Sequence, residues 1–343
     1  MVLGAGSVGL TLGTRLAHAG CEVRFAVRHP DTARAIQRDG VRVLDPETGQ
    51  SWSAGAQAAV GVEAAAGLLR TTPILLCTRA SDTEAVAESL VRVAPGATLV
   101  SAQNDVDNEE KLARHFSRVA GLCLRQTCTR VGPNAAHALG RGRIIVGARP
   151  EAGSRTATAA DTLGVVDTIA DAFRRAGYDV GISKQIADDK WLKLCMNLMS
   201  APNALVVRPD HTSWAFVEIK AQLLEEARQV LTVAGIAARS CDGRDRSLEQ
   251  EVRYQREALE LGTSARQAKV FNAVWTALRT GAALEADCYH RRILELARAH
   301  GVAAPANERV LEALERVHRE ALGPESLRAE ELLPPDRPTH AGA

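Results

Sequence analysis

The sequence predicts a two-part protein: a Rossmann-type α/β domain with a doubly wound, mostly parallel sheet over residues 1–183, then an all-α domain over 184–322 and a disordered tail over 323–343. Three observations predict it. The chain opens on "MVLGAGSVGLTLG", a G-x-G-x-x-G spacing between a short apolar run and an amphipathic one. Short β-type apolar runs then alternate with helical patterns, the rhythm of β-α-β units. From about Ile186 the strand signals stop, and long helical patterns continue to about Ala321.

Taken in order, Met1 to Leu3 reads as strand one, Val8 to Ala19 as a helix stopped by Gly20, and Cys21 to Val27 as strand two with Val23, Phe25 and Val27 on one face. "PILLC" (Pro73 to Cys77) and "TLVSA" (Thr98 to Ala102) read as buried strands, each followed by a helical stretch, Thr83 to Val93 and Asn108 to Phe116. Glycines and β-formers from Cys123 to Val146 predict antiparallel strands closing this part. A helix near Arg155 to Ala176 then leads to a last strand, "YDVGI". Strand one is only three residues deep, so a few residues are expected to precede it in the whole protein. The stretch "GPESLRAEELLPPDRPTHAGA" mixes Pro, Gly and charge and predicts a frayed tail.

Composition excludes several classes of partner. Lys and Arg number 42 against 41 Asp and Glu, leaving a formal charge of +1, so no global field points to nucleic acid. The expected partner is a small molecule. The 7 cysteines contain no C-x-x-C pair or Cys/His ligand spacing and read as free thiols in a reducing cytosol, with no metal site. No apolar run approaches the roughly 18 residues that a membrane span needs, and the glycine motif stands where a signal peptide would. A soluble cytoplasmic protein is expected, and a homodimer is left open.

The glycine motif gains weight from its setting, because it follows a strand and opens a helix inside a β-α-β unit. The first glycine makes the tight turn, the second lets backbone approach a pyrophosphate, and the third lets helix and strand pack closely. Gly4, Ala5, Gly6, Ser7, Val8 and Gly9 are therefore the predicted dinucleotide cradle, at a helix N-terminus that favours phosphate. The end of strand two chooses the dinucleotide: an acid there accepts from the ribose 2′-hydroxyl of NAD, and a cation holds the 2′-phosphate of NADP. Arg28 stands at that point, so NADP(H) is the predicted cofactor.

Further polar residues fall where a cofactor site would use them. "CTRAS" and "SAQNDVDNEE" set Arg79 and Asn104 at the carboxyl ends of strands, where they are expected near the nicotinamide side. In "KWLKLCMNLMSAPNAL", Lys193 and Asn197 are four apart on one helix face, suited to holding a carboxylate or a carbonyl. Their neighbours Leu194, Cys195, Met196, Leu198 and Met199 are so apolar that little of this helix is expected to face water, which lowers a lysine pKa toward that of a proton donor. In "LEADCYHRRILELARAHGVAAPANERV", Glu285 and Asp287 precede an amphipathic helix, as acids often do.

These stretches, in this order behind the glycine motif, resemble the ketopantoate reductase (2-dehydropantoate 2-reductase) family from Met1 to about Leu314. "QNDVDNEE" resembles the family's Q-N-G-V-x-N-E-E, "KWLKLCMNLM" its W-x-K-L-x-x-N, and the Glu285 segment its E-x-D followed by A-x-x-x-G-x-x-x-P-x-N. The resemblance implies NADPH-dependent reduction of a 2-keto acid, a step of pantothenate biosynthesis, in a cleft between a Rossmann-type and a helical domain. It implies Lys193 as general acid, Asn104 as a group holding cofactor and substrate, Asn197 as substrate-binding, and Glu285 as a ribose partner. It also matches Gly4 to Gly9 and Arg28 to phosphate and 2′-phosphate positions, and Arg79 to a cofactor-binding lysine.

Four positions depart from the family pattern: Arg79 stands for Lys, Asp105 for Gly, Ala201 for the second helix Asn, and Ala273 near the usual hydroxyl, with Asn203 two residues beyond Ala201. The substrate within the 2-keto acid class is therefore left open. Two alternatives stay beside this reading: an opine or polyol-phosphate dehydrogenase on the same fold, and a non-catalytic NADP-binding sensor.

Overall fold

The structure, a computed structural model, describes residues 1–66, 72–149, 157–260, 272–284 and 287–334. The described chain divides into two compact units, Met1–Lys190 and Trp191–Ala343.

The first unit carries strands β1 (Val2–Leu3), β2 (Arg24–Val27), β3 (Val41–Leu44), β4 (Ser51–Ala54), β5 (Gln57–Val60), β6 (Pro73–Leu76), β7 (Thr98–Ser101), β8 (Val119–Arg125), β9 (Cys128–Gly132), β10 (Ala135–Ala138), β11 (Arg143–Ala148) and β12 (Asp179–Ile182). Its helices are α1 (Ser7–His18), α2 (Pro30–Asp39), α3 (Thr83–Val93), α4 (Asn108–Ala113) and α5 (Ala157–Arg175). Eight strands form the main sheet in the order β12-β11-β8-β7-β6-β1-β2-β5. All neighbours in it are parallel except β8 and β11, so the expected mostly parallel sheet is present. From β1 the chain moves outward through β2 to β5, then returns to β6 on the other side and proceeds through β7 to β8. The switch point, where open α/β sheets bind ligands, therefore lies at the carboxyl ends of β1 and β6.

β6 and β7 are covered on both faces, with Ile74, Leu75, Leu76, Leu99 and Val100 buried, which is why they read as continuous apolar runs. The antiparallel expectation for Cys123 to Val146 holds for both pairs within it, β8 with β11 and β9 with β10, but the two pairs lie in different sheets. β8 pairs antiparallel with β11, but β9 and β10 leave the main sheet and join β3 and β4 in a second, four-stranded sheet of order β4-β3-β10-β9. Helix α1 contributes to the core on this side through Leu12 and Leu16, together with Val41, Val43, Trp52 and Ala136. Arg15 joins this packing, its guanidinium 3.9 Å from the Trp52 ring and its Nη2 donating to Ala176 O at 2.7 Å.

Helix α6 (Ile186–Asn197) begins in the first unit and ends in the second. The second unit continues with α7 (Ser200–Leu205), α8 (Trp214–Val233), α9 (Leu248–Glu260), α10 (Ala273–Thr280), α11 (Asp287–His300) and α12 (Pro305–Arg319). Ser213 caps α8 by accepting from Phe216 N–H at 3.2 Å. The Glu226 carboxylate on α8 takes the first free amides of α12, Ala306 N–H at 2.7 Å and Asn307 N–H at 3.0 Å, where an anion also meets the favourable end of the helix dipole.

The tail expectation is corrected. Residues 323–334 are packed onto the helical unit, with Leu327 and Leu332 buried and Leu327 bridged to Val206. Leu327 N–H donates to Leu205 O at 3.0 Å, and Ala329 N–H donates to Asp210 Oδ2 at 3.0 Å. Composition concealed this because its Pro and Gly turns separate leucines that are spaced to bury. Residues 335–343 lie outside the described residues. No described helix is long and apolar enough to cross a membrane.

Candidate active site

The glycine cradle sits at the switch point, and each glycine has a separate reason to be there. Gly4 adopts φ +101°, which few side chains tolerate, and a Cβ on it would lie 2.9 Å from Cys77 O. A Cβ on Gly9 would lie 1.9 Å from Gly4 O, so only hydrogen allows α1 to approach the strand this closely. Gly6 differs: a Cβ there would meet nothing nearer than Cys77 O at 3.9 Å, which leaves its outer side open to a ligand. Gly6 is the N-cap of α1 without a side-chain cap, and the first turn carries no acid. The amides of Ser7, Val8 and Gly9 precede the first intrahelical bond, from Leu10 N–H to Gly6 O at 2.9 Å. A tight turn, an open approach and a close packing are what a pyrophosphate site requires, and the residues present fit a dinucleotide. Burial pushes the Cys77 thiol up to about 12, so it stays uncharged beside the cradle.

Arg28 follows β2, exposed at 63% of its side-chain surface, and its Nη2 donates to Asp82 Oδ2 at 2.6 Å. Arg79 follows β6 and reaches the same oxygen with Nε at 3.6 Å. Arg79, expected near the nicotinamide side, instead shares one carboxylate with Arg28, and that acid, Asp82, was not singled out from the sequence.

Asn104 is half-buried in the loop after β7. The residue before it organises that loop: Gln103 Nε2 donates to Arg79 O at 3.1 Å and to Thr83 Oγ1 at 2.9 Å, and Thr83 donates to Asn108 Oδ1 at 2.8 Å. Asp105, which replaces the family's Gly, is buried and accepts from Val106 N–H at 2.8 Å through Oδ1, so one carboxylate oxygen is engaged by its own loop.

Lys190, in the first turn and a half of α6, was also missed by the sequence reading. Its ammonium is 4% exposed and pairs with Glu109, itself 6% exposed, with Ser101 O and Ser101 Oγ each at 3.3 Å. No local spacing marks it, because its partner Glu109 lies 81 positions earlier in the chain. A buried ion pair broken from one side leaves an uncompensated charge. Lys190→Met is expected to destabilise the protein by about 3–5 kcal/mol, whereas Lys190→Met with Glu109→Leu recovers much of that loss; chemical denaturation of the three proteins checks this.

In the second unit, Lys193 and Asn197 are both half-buried. The expectation that little of this helix faces water holds: from Lys190 to Ala201 no residue is exposed, with Leu192, Leu194, Cys195 and Leu198 buried and the Lys193/Asn197 face half-buried. Ala201 is fully buried, while Asn203 keeps an enclosed Oδ1 that has no hydrogen-bond partner among the described residues. Ala273 opens α10 behind its cap Asn272, whose Oδ1 accepts from Trp275 N–H at 2.8 Å and whose Nδ2 donates to Ser200 O at 2.9 Å. Glu285 lies outside the described residues.

Comparison with known proteins agrees in both halves. Residues 1–151 match the family model "Ketopantoate reductase PanE/ApbA", and residues 185–318 match its C-terminal counterpart. The 2-dehydropantoate 2-reductase of Pyrococcus abyssi is 23% identical over 310 residues, covering 89% of this chain and 93% of that protein. The enzyme of the same name from Halobacterium salinarum is 26% identical over 310 residues, covering 89% and 94%. A PanE/ApbA family ketopantoate reductase from Ralstonia eutropha JMP134 shares the fold at a TM-score of 0.73 and 22% identity, covering 94% of this chain and all (100%) of that one. D-mandelate dehydrogenase, solved with NADH and anilino(oxo)acetate, shares it at 0.73 and 15% identity, with the same coverage. With the glycine cradle at the head of the first unit and the lysine helix at the head of the second, this chain belongs to the ketopantoate reductase family of oxidoreductases.

Proposed function

We propose that the protein reduces a 2-keto acid to a 2-hydroxy acid with NADPH, and that Lys193 is its general acid. The observation that carries the cofactor half is the open Gly6 approach between two sterically enforced glycines, followed by Arg28 at the end of β2. The bound dinucleotide supplies a hydride to the carbonyl carbon. The Gly4 to Gly9 turn holds its pyrophosphate through the amides of Ser7, Val8 and Gly9, with Gly4 N–H committed to Ala26 O at 2.8 Å, and Arg28 with Arg79 meets the 2′-phosphate. Asn104 orients the cofactor and the substrate, a role supported by the buried Gln103 network that fixes its loop. Lys193 protonates the carbonyl oxygen, and its ammonium stabilises the negative charge that develops there. Asn197, one turn on, hydrogen-bonds the substrate, and Glu285 is assigned to the cofactor ribose.

The substrate within the class is read more broadly than ketopantoate. Ala201 replaces an amide by a methyl group, which removes a polar contact. D-mandelate dehydrogenase, on the same fold, handles an aryl 2-hydroxy acid with NADH. The test is NADPH oxidation with ketopantoate, a short aliphatic 2-keto acid and an aryl 2-keto acid, beside an imine and a sugar phosphate ketone. Turnover confined to the 2-keto acids is the expected result. Tight NADPH binding without turnover of any of them would overturn the proposal in favour of a nucleotide sensor.

A further inference from the structure

We propose that Asp82 sets the choice between the two nicotinamide dinucleotides: its carboxylate competes with a 2′-phosphate for Arg28 and accepts the 2′-hydroxyl of NADH in its place, so the site takes both forms and prefers NADPH only narrowly. This rests on the reading of Arg28 as the residue that meets the 2′ position.

Dinucleotide folds read that position with an acid for the hydroxyl or a cation for the phosphate. Here both kinds of reader are present. The arginine comes from the end of β2, and the acid is brought to it from the start of α3, 54 positions along the chain. Asp82 occupies the N-cap position of α3 yet makes no capping hydrogen bond. Its Oδ2 instead accepts from Arg28 Nη2 at 2.6 Å and lies 3.6 Å from Arg79 Nε, while Ser81 Oγ donates to its Oδ1 at 3.3 Å. The carboxylate is 23% exposed, against 63% for the Arg28 side chain, so the anion is the better-anchored member of the pair.

The charge count decides the direction. Two guanidiniums alone would match a phosphate dianion, and Asp82 cancels one of them. A 2′-phosphate arriving on the free donors of Arg28 meets a fixed like charge a few ångströms away, a repulsion that survives solvent screening at that range. A 2′-hydroxyl carries no charge and donates to the carboxylate, a charge-assisted bond. Arg28 still favours the phosphate through the planar fork of its guanidinium, which has donors beyond the one nitrogen that Asp82 takes. The outcome is a narrowed preference, with Arg28 and Asp82 pulling in opposite directions.

The test is the pair of dissociation constants for NADPH and NADH, read by nucleotide fluorescence on the full chain and on three variants. Asp82→Asn is expected to tighten NADPH and weaken NADH, moving their ratio about tenfold toward NADPH, the equivalent of one unfavourable charge contact of about 1.4 kcal/mol. Asp82→Ser keeps an oxygen able to cap α3 and is expected to move the ratio the same way, so a folding defect in one variant leaves the other to report. Arg28→Ala is expected to weaken NADPH far more than NADH. If Arg28→Ala behaves so but neither Asp82 variant moves the ratio toward NADPH, the assignment of Asp82 is overturned and the reading of Arg28 stands. If Arg28→Ala weakens both dinucleotides equally, Arg28 does not meet the 2′-phosphate and both statements fall together.

Discussion

Lys193→Ala is expected to lower kcat for 2-keto acid reduction by about 10²–10⁴-fold, the usual contribution of a placed proton donor, with NADPH affinity kept. The direction follows from its setting. Lys193 is half-buried on α6 one turn before Asn197, while its helix neighbours Leu192, Leu194 and Cys195 are in the core, so removing its side chain leaves those core positions untouched. A general acid acts on the alkoxide that forms as hydride arrives, so the loss belongs in kcat more than in KM. Lys193→Arg should restore charge without restoring rate, because a guanidinium holds its proton throughout the accessible pH range. Undiminished kcat in Lys193→Ala would remove this residue from the chemistry, whatever the substrate.

The second large effect separates two glycines of one motif. Gly9→Ala is expected to destabilise the first unit by about 1–3 kcal/mol or more, the cost of forcing a methyl group into a filled space, because its Cβ would lie 1.9 Å from Gly4 O, a backbone atom with no rotamer to change. Gly6→Ala is expected to leave Tm nearly unchanged, since its Cβ meets nothing nearer than 3.9 Å and its φ of −77° suits any residue. The same substitution should weaken NADPH by at least about tenfold, the loss of one hydrogen bond to a charged group. Thermal melts and binding titrations on the two variants check both halves. Unaltered NADPH binding by a folded Gly6→Ala protein would exclude this turn as the pyrophosphate site.

What could be read from the chain divides along the range of the forces involved. The glycine cradle, α3 and the strands Pro73–Leu76 and Thr98–Ser101 were legible because their causes are local: a short spacing, an amphipathic repeat and uninterrupted apolar runs. Val41–Leu44 was not, because four residues of alternating burial carry too little periodicity to stand out, and its partner β10 lies more than ninety positions away, with Ala135 facing Arg42. The site divides the same way. Arg28 and Lys193 were singled out as candidates through motifs that surround them, whereas the partnerships of Asp82 with Arg28 and of Lys190 with Glu109 span 54 and 81 positions and exist only once the sheet has formed. Local spacing pointed to Arg28 and Arg79 but could not supply Asp82, the anion they share.

The parallel pairing of β3 with β10 also bears on the order in which the chain acquires its shape. β3 and β4 can meet as a hairpin soon after they are made, but the other edge of β3 has no partner until Ala135 to Ala138 become available. Closing so long a loop is entropically slow, and an unpaired strand edge invites association with other chains. During synthesis, a nascent chain that already holds the glycine motif therefore carries an open β edge from the emergence of β3 until that of β10, and the second sheet is sealed only shortly before β11, α5 and β12 complete the main one.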